Sequence, residues 1–164
     1  MTASASWAAH ALGLISEGKS AAMVTLAHVA GSAPRDAGTR MIVSTNAIFG
    51  TVGGGNLELQ LINQARRLMA QSAIDVMQQD YPLGPLLAQC CGGRVRALVE
   101  RLSTESRVWL SDAAAAEQAG EHYTLEGRIV DAFMYRTVTH GWKTGEPGVV
   151  QLVGVGPGIG NVLR

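Results

Sequence analysis

Two cysteines stand side by side in this 164-residue chain, Cys90 and Cys91, between Gln89 and the pair Gly92-Gly93. A thiolate is a nucleophile and a ligand for soft metal centres, so a vicinal pair on a glycine-flanked loop offers sulfur to a chalcophilic partner. Neighbouring residues rarely close an unstrained disulfide. Two thiols fill only half of a tetrahedral zinc site, and His28, His122 and His140 stand at no metal-ligand spacing to them or to each other. The plain alternative is a buried, inert pair, because free cysteine is among the most buried residue types. Against it, successive strand side chains point to opposite faces, so two thiols in a row beside Gln89 and two glycines fit a loop better than an apolar face.

Two further features carry chemistry. Gly53-Gly54-Gly55 runs into an apolar-periodic stretch opened by Asn56. A helix start presents unpaired N–H groups and positive partial charge, and glycines let backbone approach an anion, so a phosphate fits there. Taken alone, the same run reads more simply as a tight turn with positive φ. Arg35 and Arg40 bracket a turn containing glycine, Gly31 to Arg40. A guanidinium fork suits phosphate or a pterin-like heterocycle; equally, Arg35 can pair at the surface with Asp36.

These residues need a scaffold. Trp7, Ala8, Ala11, Leu12 and Ile15 recur at helical spacing, with Gly18 where the helix would stop. Ala21 to Val29 is apolar on both alternating faces, as in a strand inside a sheet. Arg40 to Thr45 and Ile48 to Val52 read as short strands joined at Asn46-Ala47. After the triple glycine, Leu57, Leu61, Ala65 and Leu68 line one helical stripe, with Asn56 placed to cap it and Glu58 near its positive end. Ile74 to Tyr81 is a predicted strand. Val95, Ala97 and Val99 alternate with Arg94, Arg96 and Glu100 in another, so the cysteine loop lies between two strands. Ser106 to Ala119 has good helix propensity, and Tyr123 to Val138 is a strand region. The order of elements implies α+β: a mixed β-sheet with helices packed against it.

Composition narrows the partners. With 47% apolar residues the chain can build one domain with a real core. Formal net charge is zero and no Lys or Arg run occurs, which argues against nucleic acid and anionic membrane surfaces. Met1 to Leu14 lacks a basic leader region and carries His10, unlike a signal peptide, and no stretch is long and apolar enough to span a bilayer. Adjacent free thiols suit a reducing cytoplasm.

Together the motifs resemble the XdhC/CoxI family, in its xanthine dehydrogenase accessory branch. The stretches that carry the resemblance are Gly31-Ser32-Ala33-Pro34-Arg35-Asp36-Ala37-Gly38-Thr39-Arg40-Met41, Gly50-Thr51-Val52-Gly53-Gly54-Gly55-Asn56-Leu57-Glu58, Leu83-Gly84-Pro85 and Gln89-Cys90-Cys91-Gly92-Gly93, in the family's order and over the first two thirds of the chain. The resemblance implies a carrier rather than an enzyme. It would bind the molybdenum cofactor (molybdopterin) as cargo, protect it, support its sulfuration by a cysteine desulfurase and pass it to a xanthine dehydrogenase-type apoenzyme, with a homodimer as one possible assembly. Cofactor contacts would come from Cys90, Cys91, Gln89, Gly53, Gly54, Gly55, Arg35 and Arg40, with Cys90 or Cys91 at the molybdenum. Ala88 departs from the family's usual glycine. Under this reading residues 1–126 form the cofactor-handling domain and 127–148 a linker or peripheral strand. Residues 149–164 form a truncated, glycine-rich, Rossmann-like stub, whose Gly154, Gly156, Gly158 and Gly160 lack the fingerprint glycine at Ile159. A small vicinal-thiol redox or sulfur-transfer enzyme is the alternative of a different class, although its cysteines lack the two-residue spacing such enzymes use; a truncated remnant without function is the third.

Overall fold

A computed structural model describes residues 6–33, 35–84, 92–141 and 150–155. The first helix, α1, spans Trp7–Ser16. The Ser6 hydroxyl caps it by accepting the N–H of Ala9 at 3.1 Å, and Gly18, with φ of 72°, follows its end. Its apolar stripe is one face wide, and Trp7, Ala8, Ala11 and Ile15 are buried along it.

Five strands form the central sheet: β1 (Ala21–Ala30), β2 (Arg40–Ser44), β3 (Ile48–Gly50), β4 (Val76–Pro82) and β5 (Arg94–Leu102), in the order β3-β2-β1-β5-β4. Every pairing among the described residues is antiparallel. β1 is the middle strand, and its apolar residues serve both faces. Ala22, Val24 and Leu26 join Met41, Val43, Val95, Ala97 and Val99 beneath α2 (Gly55–Met69), which buries Leu57, Leu61, Ala65 and Leu68. Ala21, Met23, Ile42 and Leu102 face the opposite way, against α1 and against Trp109, Leu110, Ala113 and Ala116 of α3 (Arg107–Ala119). The expected helix and strand patterns thus become three layers, with the sheet in the middle. Full burial of each large apolar side chain contributes about 1.5–3 kcal/mol, so the two-faced strand is the main source of cohesion.

One irregularity sets the phase of β1. Between Leu26 and His28 its register against β5 slips by a residue. Leu26 packs beneath α2, Ala27 packs on the other face, and Val29 returns to the α2 side. This is a β-bulge.

A second, three-stranded sheet covers part of the α1/α3 face. It comprises β6 (His122–Val130), β7 (Phe133–His140) and β8 (Val150–Val155), in the order β7-β6-β8. β6 runs across the position between 126 and 127 where the sequence reading ends its first segment, and β8 pairs along β6 from His122 to Gly127. The β6–β7 turn, Asp131-Ala132, has φ of 50° and 66°, the left-handed conformations a two-residue hairpin demands. A buried ion pair joins this sheet to the central one: Arg136 donates to both oxygens of Glu100, whose side chain is 3% exposed. Gly127 makes room for it, since a Cβ there would lie 2.7 Å from Arg136 Nη1.

Candidate functional site

Strand direction brings the sequence motifs to one end of the central sheet. The chain leaves β1 at Ala30, enters β5 at Arg94 and leaves β4 at Pro82, and these three residues lie in register. β3 ends at Gly50, opposite Met41 near the start of β2, and leads to the same end. The loop after β1, the glycine turn before α2 and both stems of the β4–β5 loop therefore gather there. Their closest approach is backbone on backbone: a Cβ on Gly31 would sit 3.2 Å from the Cα of Gly93, and one on Gly93 would collide with the Ser32 carbonyl and lie 2.6 Å from that of Ala30. Leu83 N–H donates to the Gly93 carbonyl at 2.7 Å and ties the two stems together. Glycine is required at 93 by this crowding rather than by backbone angle. Gln89, Cys90 and Cys91, expected on that loop, lie outside the described residues.

The glycine turn is built differently from the sequence reading. Gly53, Gly54 and Gly55 have φ of 119°, 76° and 67°. The helix cap falls on Gly54 rather than Asn56, so Asn56 sits inside the first turn. The capping is done by Glu58, one turn into α2. Its Oε1 accepts the Thr51 hydroxyl, the Val52 N–H at 2.9 Å and, more weakly, the Gly54 N–H at 3.4 Å. Gly53 N–H donates to Thr51 Oγ1 at 3.1 Å. Partial burial pushes the Glu58 carboxyl upward, but the bonds from Thr51, Val52 and Gly54, together with the positive charge of Arg35, outweigh it and hold the group below the usual carboxylate range. A carboxylate thus holds the approach to the turn, at the amides of Val52 and Gly54.

The two arginines part company. Arg35 is exposed in the loop after β1 and is close enough for its charge to stabilise the Glu58 carboxylate. Arg40 is not brought to this end: it opens β2 with its side chain on the α1/α3 face, 6% exposed, its guanidinium stacked 4.5 Å above the Trp7 ring. Strand alternation explains the difference, because Met41 faces α2 and Arg40 and Ile42 must then face away. Arg40, expected among the cofactor contacts, is thus placed on the face of the sheet opposite α2.

Sequence reasoning passed over Thr51 and assigned Glu58 only to the helix dipole. The available signal was an acid one turn after a glycine run that lacks a Ser, Thr or Asp cap, since such a carboxylate can fold back on the turn's amides. Among the described residues no group of three or more His, Cys, Asp or Glu side chains is gathered to hold a metal ion, and no helix is long and apolar enough to cross a membrane.

The fold has a counterpart. The chain superposes on a solved structure from Bacillus halodurans, described as a xanthine dehydrogenase, with a TM-score of 0.69 and 18% sequence identity; the match covers 89% of this chain and 53% of that one. This likeness is one of fold, and the chain spans about half the length of that relative. No curated protein matches the sequence. The model of the XdhC and CoxI family matches residues 14–80. That stretch, similar to the XdhC and CoxI family, runs from the end of α1 through β1, β2, β3 and α2 into β4 and contains the loop after β1 and the glycine turn.

Proposed function

We propose that this chain is a xanthine dehydrogenase accessory protein that holds the molybdenum cofactor as cargo rather than turning over a substrate. The observation that carries the reading is the convergence of three loops at one end of the central sheet, two of them inside the family-matched stretch. Loops on a rigid sheet are where binding concentrates. Arg35 is exposed at that end and offers a planar, permanently charged fork for an anionic group of the cofactor. The glycine turn, tied to Glu58 through the amides of Val52 and Gly54, acts in this reading as a brace for the Arg35 loop. Arg40 acts from behind, anchoring the root of that loop. Cys90 or Cys91 would supply the thiolate for the molybdenum, with Gln89 beside it. Sulfuration with a cysteine desulfurase and delivery to a xanthine dehydrogenase-type apoenzyme complete the role, and the relative's description as a xanthine dehydrogenase is in keeping with that client.

The test is to mix the purified chain with released molybdenum cofactor and follow metal through gel filtration. Molybdenum should co-elute with the chain, less of it with Arg35→Ala, and one of Cys90→Ala or Cys91→Ala should release it. Absence of molybdenum from the protein peak would refute the carrier. Equal retention by both single cysteine variants and by the double variant would remove the thiols from the site. Turnover of a small persulfide donor without cofactor would point instead to a vicinal-thiol enzyme.

A further inference from the structure

Buried polar atoms without a hydrogen-bond partner are unevenly placed in this molecule. Among the described residues there are seven: Trp7 Nε1, Thr25 Oγ1, Arg40 Nε, Nη1 and Nη2, Glu117 Oε2 and Arg136 Nη1. All belong to one interior region, between the sheet face and the α1/α3 layer. Thr25 and Arg40 are register partners on β1 and β2. Arg40 stacks on Trp7, Trp7 lies 6.2 Å from Trp109, and Arg136 stands 6.0 Å over Trp109. The charges of Arg136 and Glu117 reach Arg40, and the neutral Tyr123 hydroxyl lies close enough to Arg40 and Trp7 to meet part of their need without matching every donor. Glu117 itself accepts the Tyr123 hydroxyl at 2.7 Å through its other oxygen.

Ring faces compensate the two guanidiniums only in part, because stacking leaves the N–H edges unmet. A buried donor or acceptor without a partner loses its hydration and gains nothing in return. Most such groups in folded proteins are paired, so a cluster of them marks a place where structure is held against a local penalty. Opening the layer at α1 lowers that penalty, because water then reaches Trp7 and Arg40, which carry four of the seven atoms. The element whose departure bares Trp7 and Arg40 is α1. It is ten residues long, and it is fixed at its first turn by the Trp7 ring over Arg40.

We propose that α1 is a detachable cover, the first part of the fold to open, and that the unpartnered polar centre beneath it is what makes it open. Lifting α1 bares Arg40, which immediately follows the loop carrying Arg35. The cover therefore sits at the root of the candidate site without being part of it.

Hydrogen exchange of the intact chain, read segment by segment, tests this. The amides of α1 should exchange about tenfold or more faster than those of α2 and the middle of β1. A short helix could be labile for ordinary reasons, so the deciding measurement is Arg40→Met, which keeps an unbranched apolar stem and removes three of the seven orphaned atoms. It should slow α1 exchange several-fold while leaving α2 unchanged. Protection of α1 equal to that of β1 would overturn the proposal, as would a folded Arg40→Met protein with unaltered α1 rates. If Arg40→Met does not fold, Trp7→Phe carries the same comparison, because it removes one orphaned N–H and keeps a ring over Arg40.

Discussion

Replacing Glu58 is the sharpest test of how the glycine turn is held. Its Oε1 takes three donors, but the Gly54 contact at 3.4 Å is too long to contribute much. The remaining two, from Val52 N–H and the Thr51 hydroxyl, are bonds to a charged acceptor, each contributing about 1.5–3 kcal/mol when well shielded. Glu58 is only partly buried, so water recovers a share of that, and Glu58→Ala should destabilise by about 2 kcal/mol. For a chain of this length that lowers Tm by about 4–8 °C. Glu58→Gln keeps an acceptor oxygen and loses the charge, so about half the effect is expected. The acid dependence separates the two causes. A carboxyl held below its ordinary value of 4.5 contributes stability that is complete above that value and disappears as pH falls through the lower, folded-state value. Urea denaturation from pH 7 to pH 3 should show this loss in the parent and a flatter profile in Glu58→Gln. A change within about 0.5 kcal/mol for Glu58→Ala, the scatter of ordinary surface substitutions, would show that the carboxylate does not brace the turn.

Further outcomes follow from other contacts. Gly93→Ala should lower stability by about 2 kcal/mol or more and reduce molybdenum retention, because backbone carbonyls at Ser32 and Ala30 stand where the methyl would go; chemical denaturation and the gel-filtration assay read both. Glu100→Gln should destabilise by about 3–5 kcal/mol by stranding Arg136, whereas Glu100→Leu combined with Arg136→Met should recover most of that loss, as a double-mutant cycle in urea would reveal. Leu61→Ala removes a fully buried contact of α2 with the sheet and should cost about 2–5 kcal/mol, measured the same way.

What the sequence disclosed, and what it hid, divides by the range of the interaction. The helical stripe of Leu57, Leu61, Ala65 and Leu68 and the two-faced run from Ala21 were legible because periodicity is a local property. The hairpin at Asp131-Ala132 was not marked as a turn, since neither residue is glycine although both adopt positive φ. Glu100 reads as a solvent-facing charge in an alternating strand, and its burial depends on Arg136, 36 residues away. Arg35 and Arg40 look equivalent as residues bracketing a turn. Only the parity of β2 shows that the second faces the opposite layer. At the site, the motifs were legible as loops between predicted elements, whereas their gathering at one end of the sheet and the backbone contact between Gly31 and Gly93 depend on strand register that no spacing reveals.

The bulge in β1 has a consequence for how this scaffold tolerates insertions and deletions. Losing Ala27 would remove the extra residue and leave Leu26, His28 and Val29 opposite Ala97, Arg96 and Val95, so each side chain would hold its face and Gly31 would stay beside Gly93. Loop tips beyond the sheet can change length freely. The strand that aims them holds one residue in surplus at the bulge, and a second loss would turn its outer end over and draw the site back by one residue's rise, about 3.3 Å.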